Sequence, residues 1–262
     1  MTRVAVVTGA ARGIGAATVG VLAAHGWCVL AVDRCADDPR LPYPLGTFTE
    51  LQAVVGATGE PGRVRAAVAD TCDADAMAGA VAMAESSWGG VDAVIAAAGV
   101  IAGGEPLWDM AGDRVQAVLD VNLTGVVVAA RVGVPALLRR PTPRSGRFLA
   151  VASAAATRGF PMLAAYCAAK AGVVGLVRAL AVELGGSGVT ANAVSPGSTA
   201  TEMLAESARL YRLPGPTSFS QQQPIGRLLE ADEIAAALAW LAGPTTDAIT
   251  GVAVPVDGGL AL

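Results

Sequence analysis

The chain has 262 residues, 53% of them hydrophobic, and a formal charge of −4. That charge, with no Lys/Arg-rich cluster, argues against a nucleic-acid partner, and a single histidine, His25, leaves no material for a histidine metal site or a serine-hydrolase triad. Cys28, Cys35, Cys72 and Cys167 show no Cys-x-x-Cys spacing, so they read as reduced thiols in a cytoplasmic protein; no leader precedes the first apolar run, and no stretch of about 18 residues free of charges and helix breakers marks a membrane span.

Taken in chain order, residues 3–8 (RVAVVT) are apolar and β-branched, as in a buried parallel strand. The sequence T8-G-A-A-R-G-I-G15 follows at once, then a helical pattern over 14–25 that ends near His25 and Gly26. Strand, glycine turn and helix form the context a dinucleotide needs. Gly9 can take the tight turn, Gly13 lets backbone approach a pyrophosphate, and Gly15 lets helix pack closely on strand; Arg12 and Ile14 lie in the same turn. The next strand, 27–32, runs into Asp33. A carboxylate there binds ribose hydroxyls and repels a 2′-phosphate, which favours NAD, while Arg12 and Arg34 are signals in the opposite direction.

Residues 34–50 contain three prolines, a glycine and two aromatics, and read as a loop inserted between strand and helix. Further strands are expected at 64–69, 91–96, 146–152, 188–194 and 252–256, with helices at 74–87, 109–138, 163–184 and 230–242. Such alternation predicts one domain over 1–262: an α/β, Rossmann-like doubly wound parallel sheet of seven strands with helices on both faces. Residues 201–227, interrupted by Pro214, Pro216 and Pro224 and carrying Met203, Leu204, Leu210, Tyr211, Leu213 and Phe219, depart from the alternation.

The run S153-A-A-A-T-R-G-F-P-M-L-A-A-Y166-C-A-A-K170 carries the chemistry. On a helix Tyr166 and Lys170 share a face. An ammonium group beside a phenol favours the phenolate, which would bring Tyr166 towards service as a general base.

These motifs together resemble the short-chain dehydrogenase/reductase family over essentially the whole chain. T8–Gly15 matches its cofactor loop, and Asp70 matches an acidic residue near the adenine. Asn122 in D120-V-N-L-T-G125, with Ser153, Tyr166 and Lys170, matches its catalytic tetrad. S195-P-G-S-T199 matches the segment that closes over the nicotinamide, so Pro196, Gly197 and Thr199, with Gly99, are implied cofactor contacts. There is one departure: Ala96 and Ala97 stand where the family usually has two asparagines. The resemblance makes 201–227 the substrate lid. Its apolar content, with Ala155, Phe160 and Met162, points to a hydrophobic alcohol or ketone. By the same resemblance Lys170 holds the nicotinamide ribose, Asn122 holds a water leading protons to solvent, and the protein is a homotetramer.

The segment D33-R-C-A-D37 followed by Pro39, Tyr43 and Leu51 is similar to the insertion of the mycofactocin-associated subfamily. That similarity implies tightly held NAD whose electrons pass to mycofactocin. A conventional dehydrogenase or ketone or 3-oxoacyl reductase with freely exchanging NAD(P), and a non-catalytic NAD-binding protein, are the alternatives. No metal is expected.

Overall fold

The sequence VAVVT makes a strand buried on both sides: Val4 and Val6 enter one apolar cluster and Ala5 and Val7 another, as the two-residue repeat of a strand requires. This is β1 (Val4–Thr8) in a computed structural model that describes residues 2–59 and 61–262. The other strands are β2 (Cys28–Asp33), β3 (Val64–Val68), β4 (Ala93–Ala96), β5 (Gly146–Val151), β6 (Val189–Pro196) and β7 (Ala253–Val256). All pair in parallel, in the order β3-β2-β1-β4-β5-β6-β7. The fold is therefore the doubly wound α/β sheet expected, with the winding of successive strands reversing between β1 and β4.

One face of the sheet is covered by α3 (Ala74–Trp88), α5 (Gly125–Arg139) and α6 (Ala164–Glu183), which bury Met77, Ala129 and Val173 against Phe148 and Ala150. The other face takes α1 (Gly13–Ala24), α2 (Phe48–Ala57) and α8 (Ala231–Ala242), with Leu22, Leu51 and Leu238 against Leu149 and Val151. Small side chains bring the layers close. A third apolar cluster lies off the sheet: Leu41, Val100, Ile101, Leu163 and Tyr166, with Tyr43, Met203 and Tyr211 packed on it.

Three expectations are corrected. The loop expected over 34–50 ends at Thr47, and α2 begins at Phe48 because T47-F-T-E50 is a reciprocal capping box. The helix expected over 109–138 is α4 (Gly112–Leu119), a π-turn (Asp120–Thr124) and α5, because one extra residue is inserted where Asn122 turns inward. Within the proposed lid, Thr201 caps a helix, α7 (Glu202–Leu210), and the prolines fall after it. Two helical spans, Gly112–Arg139 and Ala164–Glu183, are long and apolar enough to cross a membrane by length and composition, with mean hydropathy 1.7 and 1.5. Sequence reading passed them over because Arg131, Pro135, Lys170 and Arg178 interrupt them; here they are helices of the sheet layer.

Candidate active site

At the carboxyl ends of β1 and β4, where the winding reverses, a cavity of about 770 Å³ opens. Such switch points are where doubly wound sheets bind ligands. Its floor is the glycine turn. A Cβ added at Gly15 would stand 2.1 Å from the Gly9 carbonyl oxygen, so α1 can start where it does only with hydrogen at that position. Gly9 itself has φ +66°, and a Cβ there would meet the Ala98 Cα at 2.6 Å. The buried Thr8 hydroxyl accepts from both Ala97 and Ala98 N–H at 3.2 Å, so backbone order at the family departure is kept without the asparagines.

One end of the cavity is lined by Asp33, Arg34 and Asp70. Asp33 accepts from Ala11 N–H at 3.0 Å and from Cys35 N–H at 3.1 Å, which fixes its carboxylate at the end of β2. Arg34 is engaged twice, to Asp38 at 3.2 Å and Asp70 at 3.4 Å, and Arg12 donates to the Pro44 carbonyl at 2.9 Å. Of the two counter-signals to NAD, Arg34 is therefore already paired with two of the protein's own carboxylates, while Arg12 spends one of its donors on a backbone carbonyl. Residues 34–47 cross this end as a strap. Asp38 is buried and gathers Arg34 and Arg40, whose guanidiniums hold its carboxyl well below the usual carboxylate range. Arg40 also reaches Asp120 at 2.7 Å, Tyr43 accepts from Ile101 N–H at 2.9 Å, and Leu45, with Gly46, completes the lining.

In the middle of the cavity Ser153, Tyr166 and Lys170 converge. Lys170 Nζ donates to the Val151 carbonyl at 2.8 Å and lies 5.7 Å from the Tyr166 ring centroid, as helical spacing predicts. Burial pulls the Lys170 ammonium down to about 8. Burial also pushes the Tyr166 phenol up to about 12, against the pull of the Ser153 hydroxyl, which favours the phenolate. The expected net lowering of the phenol by Lys170 is therefore not a property of the protein alone. Asn122 sits behind the cavity without lining it: its carboxamide donates to the Val100 and Val118 carbonyls and accepts from Val100 N–H. Gly99 lies between Asn122 and Lys170; a Cβ there would come within 3.0 Å of Asn122 Oδ1 and 3.8 Å of Lys170 Nζ.

All the remaining sequence-predicted site residues line the cavity: Arg12, Gly13 and Ile14 at the turn, Pro196, Gly197 and Thr199 at the end of β6, and Ala155, Phe160, Met203 and Leu204 at the other end. Met203 Sδ is 4.0 Å from the Tyr166 hydroxyl. Arg158, Gln222 and Leu260 line that end as well and were missed, because no motif marks them and Leu260 is brought in from the C-terminal turn. Arg158 follows Ser153 by five residues, and its charge in an apolar run was the one available signal.

A parallel sheet of this order, with a glycine turn and a Ser–Tyr–Lys group whose Tyr and Lys are buried, defines a dinucleotide-binding oxidoreductase. The family model described as enoyl-(acyl carrier protein) reductase matches residues 9–261. (−)-trans-Carveol dehydrogenase of Rhodococcus erythropolis is 34% identical over 99% of this chain and 98% of its own. Cis-4-hydroxycyclohexanecarboxylate dehydrogenase of Sinomonas cyclohexanicum is 35% identical over 98% and 96%. The crystal structure of carveol dehydrogenase from Mycobacterium avium in complex with NAD superposes with a TM-score of 0.92 at 33% identity, covering 98% of this chain and 97% of that one. The chain belongs to the short-chain dehydrogenase/reductase family.

Proposed function

We propose that the chain is an NAD-dependent dehydrogenase that interconverts a hydrophobic cyclic secondary alcohol and its ketone, and that it keeps its NAD between turnovers. The observation that carries this reading is the convergence of Ser153, Tyr166 and Lys170 in the cavity that also holds the glycine turn and Asp33. The residues fit NAD: the turn leaves room where a Cβ would stand, Asp33 suits the ribose hydroxyls and repels a 2′-phosphate, and Arg34 is already paired with Asp38 and Asp70. Gly13, Gly15, Asp70, Gly99, Pro196, Gly197 and Thr199 would hold the rest of it. The apolar wall of Phe160, Met203, Leu204 and Phe219 supports a hydrophobic ring, as do the substrates named for the two dehydrogenase relatives.

When bound, NAD supplies the hydride acceptor and a positive charge beside the substrate. Tyr166 takes the alcohol's hydroxyl proton, and Ser153 holds the substrate oxygen by a hydrogen bond. Lys170, with a pKa near 8, is protonated at neutral pH and adds a cation beside the phenol. Both charges would work against the burial that now holds Tyr166 near 12. Asn122 positions the loop at Val100 and holds the proton path behind Lys170.

Retention of NAD is supported by the strap, tied to the body through Arg34–Asp70, Arg40–Asp120 and Tyr43–Ile101. Electrons would then leave to an external carrier of the mycofactocin type. A homotetramer is supported by Val182 and Val252, apolar and exposed on α6 and ahead of β7. To test the reading, the protein is purified without added cofactor and denatured, and NAD(H) is assayed in the supernatant. Oxidation of carveol and 4-hydroxycyclohexanecarboxylate is then followed with bulk NAD or with an artificial acceptor. Stoichiometric NAD(H) and turnover only with the acceptor are expected, and Tyr166→Phe should keep NAD while losing at least ~10²-fold in turnover. Ordinary-rate reduction of bulk NAD overturns retention, and a Phe variant of near-native rate overturns the base.

A further inference from the structure

We propose that Arg158 receives a carboxylate at the far end of the substrate, so that the preferred substrates are ring alcohols bearing an acid group remote from the carbinol carbon. This rests on the reading that the Tyr166 end of the cavity takes a ring alcohol.

The charged side chains lining the cavity are sorted by position. Asp33, Arg34 and Asp70 stand at the ends of β2 and β3, with Arg12 beside them under the strap. Glu202 faces the glycine turn, its Oε2 4.0 Å from where a Cβ of Gly13 would be. Lys170 is buried behind Tyr166. Arg158 is the remaining one; its side chain is exposed at the cavity wall, where it touches the Leu260 carbonyl and the Phe160 ring. The compartment that would receive the substrate is thus lined largely by apolar groups, with Ser207, Tyr211 and Gln222 as neutral polar ones and Arg158 as its one unpaired charge among the described residues. A neutral hydrocarbon ring has no use for that charge.

Among the described residues no carboxylate pairs with Arg158. Its Nη1 donates to the Leu260 carbonyl, and its guanidinium lies 5.7 Å from the Phe160 ring centroid. A guanidinium carries five N–H donors in a planar fork that matches a carboxylate with two parallel bonds, and the donors not used on Leu260 have no protein acceptor among the described residues. The Arg158 backbone N–H donates to the Ala154 carbonyl at 2.9 Å, and Ser153 Oγ accepts from Ala155 N–H at 3.1 Å. One short turn therefore ties the Arg158 backbone to the residue that holds the substrate's oxygen, and the Leu260 carbonyl and Phe160 ring steady its guanidinium. A substrate reaching from Ser153 to Arg158 would be oriented at both ends, with its ring against Phe160.

The test uses the NAD-loaded wild-type enzyme with 4-hydroxycyclohexanecarboxylate and its methyl ester as paired substrates. A charge-assisted contact at a partly solvated site corresponds to about a tenfold effect, so the acid should exceed the ester at least ~10-fold in kcat/KM, chiefly through KM. In Arg158→Gln that ratio should fall towards one, in Arg158→Lys it should fall part of the way, and rising salt should erode it in the wild type. If Arg158 serves only to tether Leu260, substitution lowers both substrates by the same factor and leaves the ratio intact, which overturns the proposal. A wild type indifferent to acid or ester also overturns it while leaving the ring-alcohol reading in place. Failure to oxidise either compound counts against that reading instead. Calorimetric titration of cyclohexanecarboxylate then decides the carboxylate site, because equal affinity in wild type and Arg158→Gln, or no binding to either, sinks it.

Discussion

Tyr166 shows how a residue's role depends on what surrounds it. On a solvated helix, a lysine four residues on would favour its phenolate. Here both groups are buried, the phenol is pushed up to about 12, and the ammonium is pulled down to about 8. Desolvation outweighs a single attraction between them. The other two tyrosines, Tyr43 and Tyr211, are also pushed up to about 12 by burial. Native protein stripped of cofactor should therefore show no tyrosinate absorbance step near pH 10, whereas the unfolded chain should ionise all three there. Adding NAD should bring one tyrosine down in pH, and Tyr166→Phe should remove that one. The sign for stability follows: above pH ~10 the unfolded chain holds fewer phenolic protons than the native one, so stability contributed by these phenols is lost as pH rises from about 10 towards 12. An unliganded protein whose spectrum steps near pH 10 would contradict the burial argument.

Among elements, the strap and the lid frame the cavity, and both carry their own anchors. The three non-glycine residues with positive φ among those described are Cys35, Met162 and Arg212. They stand at the start of the strap, just before α6 and just after α7, each next to residues lining the cavity. Such conformations cost about 1–3 kcal/mol and persist where surrounding contacts impose them. For the strap those contacts are Arg40 between Asp38 and Asp120, and Tyr43 on Ile101 N–H. Arg40→Ala should raise the rate of NAD release at least ~10-fold while costing the fold about 1 kcal/mol, since the guanidinium is partly exposed and Arg34 still serves Asp38. Stopped-flow release and thermal unfolding of the same variant separate the two effects; unchanged release would mean the strap does not retain NAD. Because the arginines hold the Asp38 carboxyl down, their contribution is present above the ordinary carboxylate pKa of about 4. It fades only as pH falls below that value. Mild acid near pH 5–6 should leave retention intact.

At the scale of the molecule, the proposed dinucleotide site spans the ends of several strands, the strap and residues 201–227, so loss of the ligand would be felt globally. A ligand held at a thousand times its dissociation constant adds about 4 kcal/mol to stability. For a chain of this size each kcal/mol moves Tm by about 2–4 °C. Stripping NAD should therefore lower Tm by about 8–16 °C, and adding it back should restore the original value. A stripped protein that melts where the loaded one does would show that strap and lid order without the ligand.

The alternation of strands with helices, the glycine turn after β1, Asp33 at the end of β2 and the Tyr166–Lys170 spacing were legible in the residues themselves, because period and turn chemistry are local properties of a chain. Helix α2 was also legible in T47-F-T-E50, although the prolines before it obscured the signal. What the tertiary structure decided is which charges are spent. Arg12 and Arg34 could have met a 2′-phosphate, yet Pro44, Asp38 and Asp70 take them. Asn122 turns behind the cavity, and Arg158 is left without a carboxylate while Leu260 closes beside it. The Arg34–Asp38 spacing is local, but Pro44, Asp70 and Leu260 meet their arginines only through chain crossings dozens of residues apart, and no local pattern encodes those.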